Sequence, residues 1–379
     1  MSQPGATNWH GIAVTFVAGV AAAIMLAKAS AAAPAVQQDL GLQLSQIGWV
    51  VSVSNLATLL FGTISGQLSA RFGLPTMLKS GLLIMTIAAL LSLFAGQYLT
   101  LLAGRALEGV GVVLVTVAAP ALIASLSRPE DRSMAMGIWA LWMPIGAVII
   151  MLLSPLLMGW QGWHGLWLFA ALASLAAWML LHRQPISTDG PAGAFDLKAL
   201  TAIAPWLLAT IFACFSFQFF SVFTFMPIYL DNTLGISTQH AARLVALIPV
   251  FIIPGNLLGG WLAKRGFPPW LLILIPALLL LLITQGLFRI TTLDTPGYLL
   301  LGGYGLILGI IPTAIFVQAP RLATTASAAA PIIGLGMSGQ GLGILIGPPL
   351  TGWVADGGQQ WQACANLLSL VLLLLATFA

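Results

Sequence analysis

The sequence predicts an all-α polytopic membrane protein with twelve transmembrane helices in two pseudo-symmetric six-helix bundles. Three observations support this fold class. Hydrophobic residues make up 59% of the 379 residues and charged residues only 6%, whereas soluble domains have about 25% charged residues. The apolar sequence is divided into runs near the roughly 20 residues that a bilayer-spanning helix needs. A short loop sequence also recurs half a chain later.

Polar or Gly/Pro breaks separate the apolar runs, and these breaks define the predicted spans. They lie near residues 11–36, 44–68, 76–96, 98–124, 133–158, 163–182, 203–230, 239–262, 270–288, 296–317, 327–350 and 360–379. The long polar interval at 183–202 is predicted to link the two halves. The predicted domains are therefore an N-terminal bundle (1–182), a cytoplasmic linker (183–202) and a C-terminal bundle (203–379).

The recurring loop divides the chain into two equivalent parts. The segment Gly66-Gln-Leu-Ser-Ala-Arg71-Phe-Gly73 returns, 193 residues later, as Gly259-Gly-Trp-Leu-Ala-Lys264-Arg-Gly266. Internal repeats in a membrane protein are typical of secondary transporters, whose halves rock about a site between them. We therefore predict that these loops act as cytoplasmic gates, with Gly66, Arg71, Gly73, Gly259, Lys264 and Gly266 as their key residues.

The basic residues predict the orientation. Nine of them fall in alternate loops on one side of the predicted membrane: Arg71, Lys79, Arg128, Arg132, Arg183, Lys198, Lys264, Arg265 and Arg321. Loops rich in Lys and Arg stay in the cytoplasm. The opposite side has mainly acidic residues, with Arg243 and Arg289 as its basic ones. No cleavable leader is apparent in the first residues, so we expect a multi-pass bacterial inner-membrane protein with both termini in the cytoplasm.

The architecture and two motifs resemble the major facilitator superfamily. The Gly-x-x-x-x-Arg/Lys-x-Gly loop lies between the second and third spans and again between the eighth and ninth. The fourth span contains Arg105-Ala-Leu-Glu108-Gly109-Val-Gly111, which is similar to that family's helix-4 motif. Within the superfamily this helix looks most like that of the cyanate/nitroimidazole-type transporters. The resemblance implies alternating access in a monomer.

Three charged residues lie well inside the predicted spans, away from their ends: Lys28, Arg105 and Glu108. A charge at the bilayer centre costs at least about 2.5–3.5 kcal/mol, so such residues usually face a cavity and have a partner. The predicted helix directions put all three at similar depth in the outer half. We predict that Lys28 and Arg105 bind an anionic group and that Glu108 is their partner and a proton carrier. The alternatives are that Glu108 only neutralises Arg105, and that Lys28 pairs with Glu108 or extends outward.

The second half offers neutral groups instead. The candidate substrate ligands there are Gln218 and Ser221 on the seventh span, Asn256 on the eighth and Tyr304 on the tenth, with Ser216, Tyr229, Ser338 and Gln340 as further polar residues. A single polar residue in a span more often makes an interhelix hydrogen bond. Trp139 and Trp142 lie three residues apart on the fifth span, and their shared face is a candidate wall of the substrate cavity.

Other functional classes lack the residues that they require. No metal-type spacing, nucleotide-binding Gly-Lys-Ser/Thr loop or catalytic His pair occurs, and basic residues form no nucleic-acid stripe. We expect neither an enzyme nor a cofactor, and we expect Cys214 and Cys364 to be inert packing residues. The predicted function is secondary active transport of a small anionic solute across the lipid bilayer, in symport with protons. The alternative is a proton-driven exporter of amphipathic drugs or metabolites.

Overall fold

The computed structural model describes residues 6–62, 73–128, 130–183, 200–290, 292, 294–322, 329–357 and 360–379. Regular structure within these residues is helical. Most of the predicted linker, residues 184–199, lies outside the described residues, as do Gly66 and Arg71 of the first predicted gating loop.

The helices are numbered here in chain order, with interrupted helices kept as one element. They are α1 Trp9–Leu40, α2 Leu44–Phe61, α3 Leu74–Ser92, α4 Tyr98–Leu126, α5 (Arg132–Ala140 and Trp142–Gln161), α6 His164–His182, α7 Ile203–Leu234, α8 Thr238–Lys264, α9 Leu271–Leu287, α10 Thr295–Arg321, α11 Ala329–Asp356 and α12 Trp361–Thr377. Loops that follow odd-numbered helices form the odd-loop face of the bundle. Loops that follow even-numbered helices, with both chain ends, form the even-loop face.

Nine helices in the described part of the chain are long and apolar enough to cross a membrane: α1–α8 and α10. Helices α9 and α12 are also apolar but have only 17 residues each. Helix α11 is long, and it contains six glycines between Gly334 and Gly347 and the pair Pro348-Pro349. The chain is thus a multi-pass, all-helical membrane protein.

Two predicted continuous spans are interrupted where a proline follows. The first segment of α5 ends at Ala140, four residues before Pro144, and the first segment of α8 ends at Val245, four residues before Pro249. Proline has no N–H to donate to the carbonyl four residues earlier, and its ring clashes with that carbonyl. Helix α2 changes to a 3₁₀ turn at Val53–Asn55.

The helix packing repeats after six helices. Helix α1 packs against α4, α5 and α6, and α7 packs in the same way against α10, α11 and α12. Likewise, α3 packs on α4 and α6, as α9 packs on α10 and α12. The interruptions of α2 and α8 also occupy corresponding places. The 3₁₀ turn of α2 begins at Val53, and the residue 193 positions later, Ala246, lies at the interruption of α8. The sequence repeat therefore has a counterpart in helix packing.

The last glycine of each repeated loop has a positive φ. Gly73, just before α3, has a φ of 75°, and Gly266, just after α8, has a φ of 90°. Residues with a side chain rarely adopt positive φ, whereas glycine does so at little cost. This explains why both copies of the loop end in glycine.

Contacts between helices α1–α6 and helices α7–α12 follow the same two-fold pattern. Helix α2 packs along α11, α5 packs against α8, and α1 packs against α7. On α2, Gly48 and Gly62 allow the close approach: a Cβ at Gly48 would lie 2.5 Å from the Pro348 carbonyl oxygen, and one at Gly62 would lie 2.7 Å from Ser338 Oγ. The two six-helix sets are therefore joined through these three helix pairs.

Candidate functional site

The three predicted intramembrane charges lie in contact between α1 and α4. Lys28 Nζ is 2.8 Å from Glu108 Oε2, and Arg105 Nη1 donates to the same carboxylate oxygen. All three side chains are fully buried. Arg105 and Glu108 are three residues apart and share a face of α4. This cluster, the charged trio, contains two bases and one acid, so it has a surplus of one positive charge when all three are ionised.

Lys28 has few strong acceptors. Besides Glu108, its ammonium group contacts Met25 Sδ at 2.6 Å and lies 4.9 Å from the centroid of the Trp167 ring. A thioether is a weak acceptor, and an aromatic face attracts a cation without accepting a conventional hydrogen bond. Lys28 is therefore paired with Glu108, which is one of the alternatives given above for this residue. The contacts with Met25 and Trp167 are weaker, and an anion could replace them.

Arg105 joins three helices. Its guanidinium has five N–H donors. The acceptors are Val50 O at 2.9 Å, Met25 O at 3.0 Å, Ser54 Oγ at 3.0 Å, Val51 O at 3.5 Å and the Glu108 carboxylate. Since these acceptors belong to α1, α2 and α4, Arg105 acts as a clamp, and a solute would have to displace one of them to bind it.

A hydrogen-bonded path leads from the charged trio to a cavity between the two six-helix sets. Ser54 Oγ accepts from Arg105 Nη2, and Asn55 Nδ2 donates to Ser54 Oγ at 3.4 Å. Asn55 lines the cavity. The trio itself is absent from the cavity wall, so Asn55 and Ser54 are its link to the cavity.

The cavity lies at mid-depth and is narrow, with room for roughly one water molecule. Its wall contains Leu26, Asn55, Thr58, Val112, Thr116, Trp142, Met143, Phe220, Met337, Gln340 and Ile344. Both halves contribute, through α1, α2, α4 and α5 on one side and α7 and α11 on the other. Thr58 Oγ1 is buried there without a hydrogen-bond partner in the described part of the chain. The wall thus combines a few polar groups with aromatic and Met side chains.

Sequence reasoning missed three polar residues of this wall: Asn55, Thr58 and Thr116. Each is a lone neutral side chain in an apolar helix, a pattern that usually indicates an interhelix hydrogen bond. The adjacent polar pair Ser54-Asn55 in the middle of α2 was the one available signal. Gln340, which was among the further polar residues, does line the cavity.

The two candidate tryptophans of α5 stack on each other across the helix interruption. The ring centroids of Trp139 and Trp142 are 5.3 Å apart, with the ring planes inclined by 12°. Trp142 lines the cavity. Trp139 packs against α1, where a Cβ at Gly19 would come within 2.4 Å of its ring. Only one of the two therefore faces the cavity.

The candidate ligands of the second half make contacts among their own helices. Gln218 Nε2 donates to Thr284 Oγ1 at 2.9 Å, Ser221 Oγ accepts from Thr351 Oγ1 at 3.0 Å, and Tyr304 donates to the Gln218 carbonyl at 3.1 Å. Asn256 accepts from Thr313 through its carbonyl oxygen at 3.0 Å. None of these four is in the cavity wall. Gln218 Oε1 is buried and, among described residues, has no partner.

At the odd-loop face, the C-terminal residue of α11 caps the N-terminus of α2. The Asp356 carboxylate accepts from Leu44 N at 2.7 Å and from Ser45 N at 3.0 Å, one bond on each oxygen. The first N–H groups of a helix have no partner within the helix, and a negative charge there is favourable. This contact, the Asp356 latch, joins the two six-helix sets.

Comparison with known proteins identifies the family. The model of the Major Facilitator Superfamily matches residues 13–332. The chain belongs to this superfamily. A solved structure, a bacterial homologue of the human lysosomal transporter Spinster in an inward-facing and occupied conformation, superposes with a TM-score of 0.85 at 15% identity, covering 99% of this chain and 97% of that one. The chain therefore has the fold of this superfamily over its whole described length.

Curated relatives in the superfamily have diverse names. A multidrug transporter, mfsC, from Aspergillus fumigatus is 34% identical over 42% of this chain and 32% of its own length. The puromycin resistance protein pur8 from Streptomyces alboniger is 29% identical over 55% and 42%. The probable sulfoacetate transporter SauU from Cupriavidus necator is 24% identical over 62% and 60%. The alignments thus span between a third and three fifths of these relatives.

Proposed function

We propose that this chain is a secondary active transporter of a small anionic solute, coupled to protons in symport. The observation that carries the proposal is the hydrogen-bonded path from the cavity to a buried trio with more bases than acids. An anion entering at Asn55 would offset the surplus positive charge of the trio. A buried charge without a counter-charge is costly, so this surplus favours an anion over a cation.

The proton would be held at Glu108. Its Oε2 atom accepts from both bases, and Ser92 Oγ donates to Oε1 at 3.4 Å. A solute that draws Lys28 away would leave the carboxylate paired with Arg105 alone. A proton bound at Glu108 would then accompany the anion, so that the two are carried together.

Alternating access would come from rocking of residues 1–182 against residues 203–379, with 183–202 as the linker. The repeated helix packing supports this division. The Asp356 latch would hold the odd-loop face closed and break when that face opens. The repeated loops, including Gly73, Gly259, Lys264 and Gly266, would close the even-loop face in turn. Gln218, Ser221, Asn256 and Tyr304 would reach the solute only if rocking rearranges their helices.

We infer from the positive-inside rule that the even-loop face and both termini lie in the cytoplasm of a bacterial cell, with twelve spans in the inner membrane. The helix-4 residues support a relationship to the cyanate/nitroimidazole-type transporters, and cyanate is a small anion. The relative named as a sulfoacetate transporter agrees with an anionic substrate. The proposed unit is a monomer that needs only its solute, protons and lipid.

A second function is export of amphipathic drugs or metabolites. The aromatic and Met residues of the cavity wall, Trp142, Met143, Phe220 and Met337, suit an apolar ligand. Two relatives are named for multidrug transport and puromycin resistance. The surplus of bases argues against cationic drugs, since a cation would add to an uncompensated positive charge.

A proton-flux assay in proteoliposomes distinguishes the two functions. A pH-sensitive dye would report proton movement when pools of small organic and inorganic anions, and then cationic amphiphiles, are added outside. Proton entry evoked by an anion supports anion symport. Proton movement evoked only by the amphiphiles would reject it in favour of the exporter.

A further inference from the structure

A ladder of polar side chains joins α9 and α12 on the outside of the bundle. Gln285 Nε2 donates to Asn366 Oδ1 at 3.1 Å and to Ser369 Oγ at 2.9 Å. Gln362 Nε2 donates to Gln285 Oε1 at 2.9 Å, and Arg289 Nε donates to Gln362 Oε1 at 3.0 Å. Arg289, Gln362 and Asn366 are exposed. These five residues form the α9–α12 ladder.

The ladder lies at the odd-loop ends of α9 and α12, where we expect the boundary between hydrocarbon and lipid headgroups. Arg289 follows the last residue of α9 by two positions, and Gln362 is the second residue of α12. At 1.5 Å per residue, the helical members of the ladder as far as Asn366 lie within about 8 Å of the odd-loop ends of their helices. A headgroup region of this thickness borders the hydrocarbon core.

The backbone that carries the ladder is held by aromatic packing. The rings of Phe288 and Trp361 stack with centroids 6.2 Å apart, and Tyr229 packs edge-on against Phe288 at 5.5 Å. Tyr229 also donates to the Ile290 carbonyl at 2.8 Å. Arg289 lies between two residues, Phe288 and Ile290, that are both buried. Its guanidinium therefore extends from a well-packed position.

The groups of the ladder that have no partner are donors. Among described residues, the Arg289 Nη1 and Nη2 atoms and Asn366 Nδ2 have no acceptor, whereas Gln285 uses both ends of its amide. A second copy in a two-fold interface would present these same donors and the same Arg289 charge. An anionic oxygen can accept hydrogen bonds from these donors, since phosphate accepts two parallel hydrogen bonds from one arginine.

We propose that the α9–α12 ladder binds the phosphate of an anionic phospholipid in the leaflet on the odd-loop side. Arg289 binds the phosphate through its two terminal nitrogens, and Asn366 donates to an oxygen of the glycerol or headgroup. The apolar side chains exposed beside it, Leu282 and Leu370, pack on the acyl chains. This site is separate from the central cavity and does not depend on the solute that the protein transports.

Native mass spectrometry of the full-length protein, released from micelles with equal phosphatidylglycerol and phosphatidylcholine, tests the proposal. Wild type should retain phosphatidylglycerol preferentially. Arg289→Gln should weaken this retention about fivefold, as expected for one arginine at an anionic surface. Arg289→Lys should fall between the two, because it keeps the charge without the fork. Arg243→Gln is the matched control, an exposed arginine of the same face outside the ladder, and it should behave as wild type.

Four outcomes would overturn the lipid site. Equal retention of both lipids by wild type would remove the charge argument, and unchanged phosphatidylglycerol retention in Arg289→Gln would place the lipid elsewhere. Displacement of the lipid by inorganic phosphate would assign the ladder to a free anion. A dimer in wild type that Arg289→Gln dissociates would instead make the ladder an interface between copies.

Discussion

The two halves of this protein share a helix packing but differ in the polar groups that they bury. Lys28 corresponds, at an offset of 193 residues, to Ser221, and Arg105 corresponds to Tyr298. In the first half these positions contain the two bases of the charged trio. In the second, Ser221 accepts a single neutral hydrogen bond from Thr351, and Tyr298 is 43% exposed.

This difference shows whether the buried charges serve the fold or the function. Since the second half reaches the same helix arrangement with neutral side chains, the architecture does not require buried charges. Buried ion pairs are seldom net stabilising, because desolvation opposes the attraction between the charges. The trio is therefore best explained by function, and its removal should have effects that neutral contacts in the other half do not have.

The largest effect is expected for Glu108→Gln. This change leaves Lys28 and Arg105 buried without a carboxylate, and breaking a buried pair in this way costs about 3–5 kcal/mol. Lys28→Met should be much milder, because the Arg105–Glu108 pair remains neutral as a whole. Thermal unfolding of both variants in the same detergent measures this order. A midpoint for Lys28→Met as low as that for Glu108→Gln would show that the trio is not organised around its carboxylate.

Arg105→Lys should be the next most damaging change. Lysine keeps the charge but cannot reach the carbonyls of α1 and α2 and Glu108 together, and the loss of several charge-assisted bonds costs about 3 kcal/mol. Unfolding midpoints compared with Lys79→Arg, the reverse exchange on α3, measure the effect. If Arg105→Lys keeps the wild-type midpoint, charge alone holds these helices and the clamp is unnecessary.

A smaller effect is expected at the contact between the halves. An added methyl in Gly48→Ala would lie 2.5 Å from the backbone of Pro348 and Pro349, and such overpacking costs about 2 kcal/mol. Because the halves can separate, we expect a shift toward conformations open at the odd-loop face. Spin labels at the exposed residues Gln43 and Gln360 would report longer distances by pulsed electron paramagnetic resonance.

Gly96→Ala is the control for that experiment, since a Cβ at Gly96 has nothing within 4 Å. Its distance distribution should match that of wild type. An unchanged distribution in Gly48→Ala itself would mean that α2 and α11 do not form the moving contact.

The smallest effect is expected in the second half, for Gln218→Leu. Only one end of this amide has a partner, Thr284, and its Oε1 atom is buried with none among described residues. Gln218→Leu removes one neutral hydrogen bond to Thr284 but also removes the unsatisfied Oε1 atom, and these effects oppose each other, so we expect a loss of about 1 kcal/mol or less. A loss as large as that of Glu108→Gln, by the same thermal measurement, would remove the contrast between the halves.

The sequence predicted helix positions well because apolar length alone determines them. The predicted span 98–124 and the observed α4, Tyr98–Leu126, illustrate this agreement. The sequence also predicted that the three residues of the charged trio lie close together, since Arg105 and Glu108 share a helix face and Lys28 lies at similar depth. The subgroup within the superfamily, the solute and the coupling stay predictions.

Contacts between distant segments could not be predicted in the same way. Asp356 appears in the sequence as an ordinary loop residue, and its role as a cap for α2 depends on how α11 packs against the other half. Arg105 donates to the backbone carbonyls of Met25 and Val50. Because every residue has such a carbonyl, the residue types at these positions do not indicate the contact. The interruptions of α5 and α8 were foreseeable only as proline positions.

The most direct test of the charged trio is anion-evoked proton flux in proteoliposomes that contain wild type, Lys28→Met or Lys79→Met. The account predicts that flux is lost in Lys28→Met, although the variant stays folded, and is kept in Lys79→Met, which makes the same exchange away from the trio. Flux of wild-type size in Lys28→Met would contradict the account, because the anion would then bind without the lysine that supplies the surplus charge.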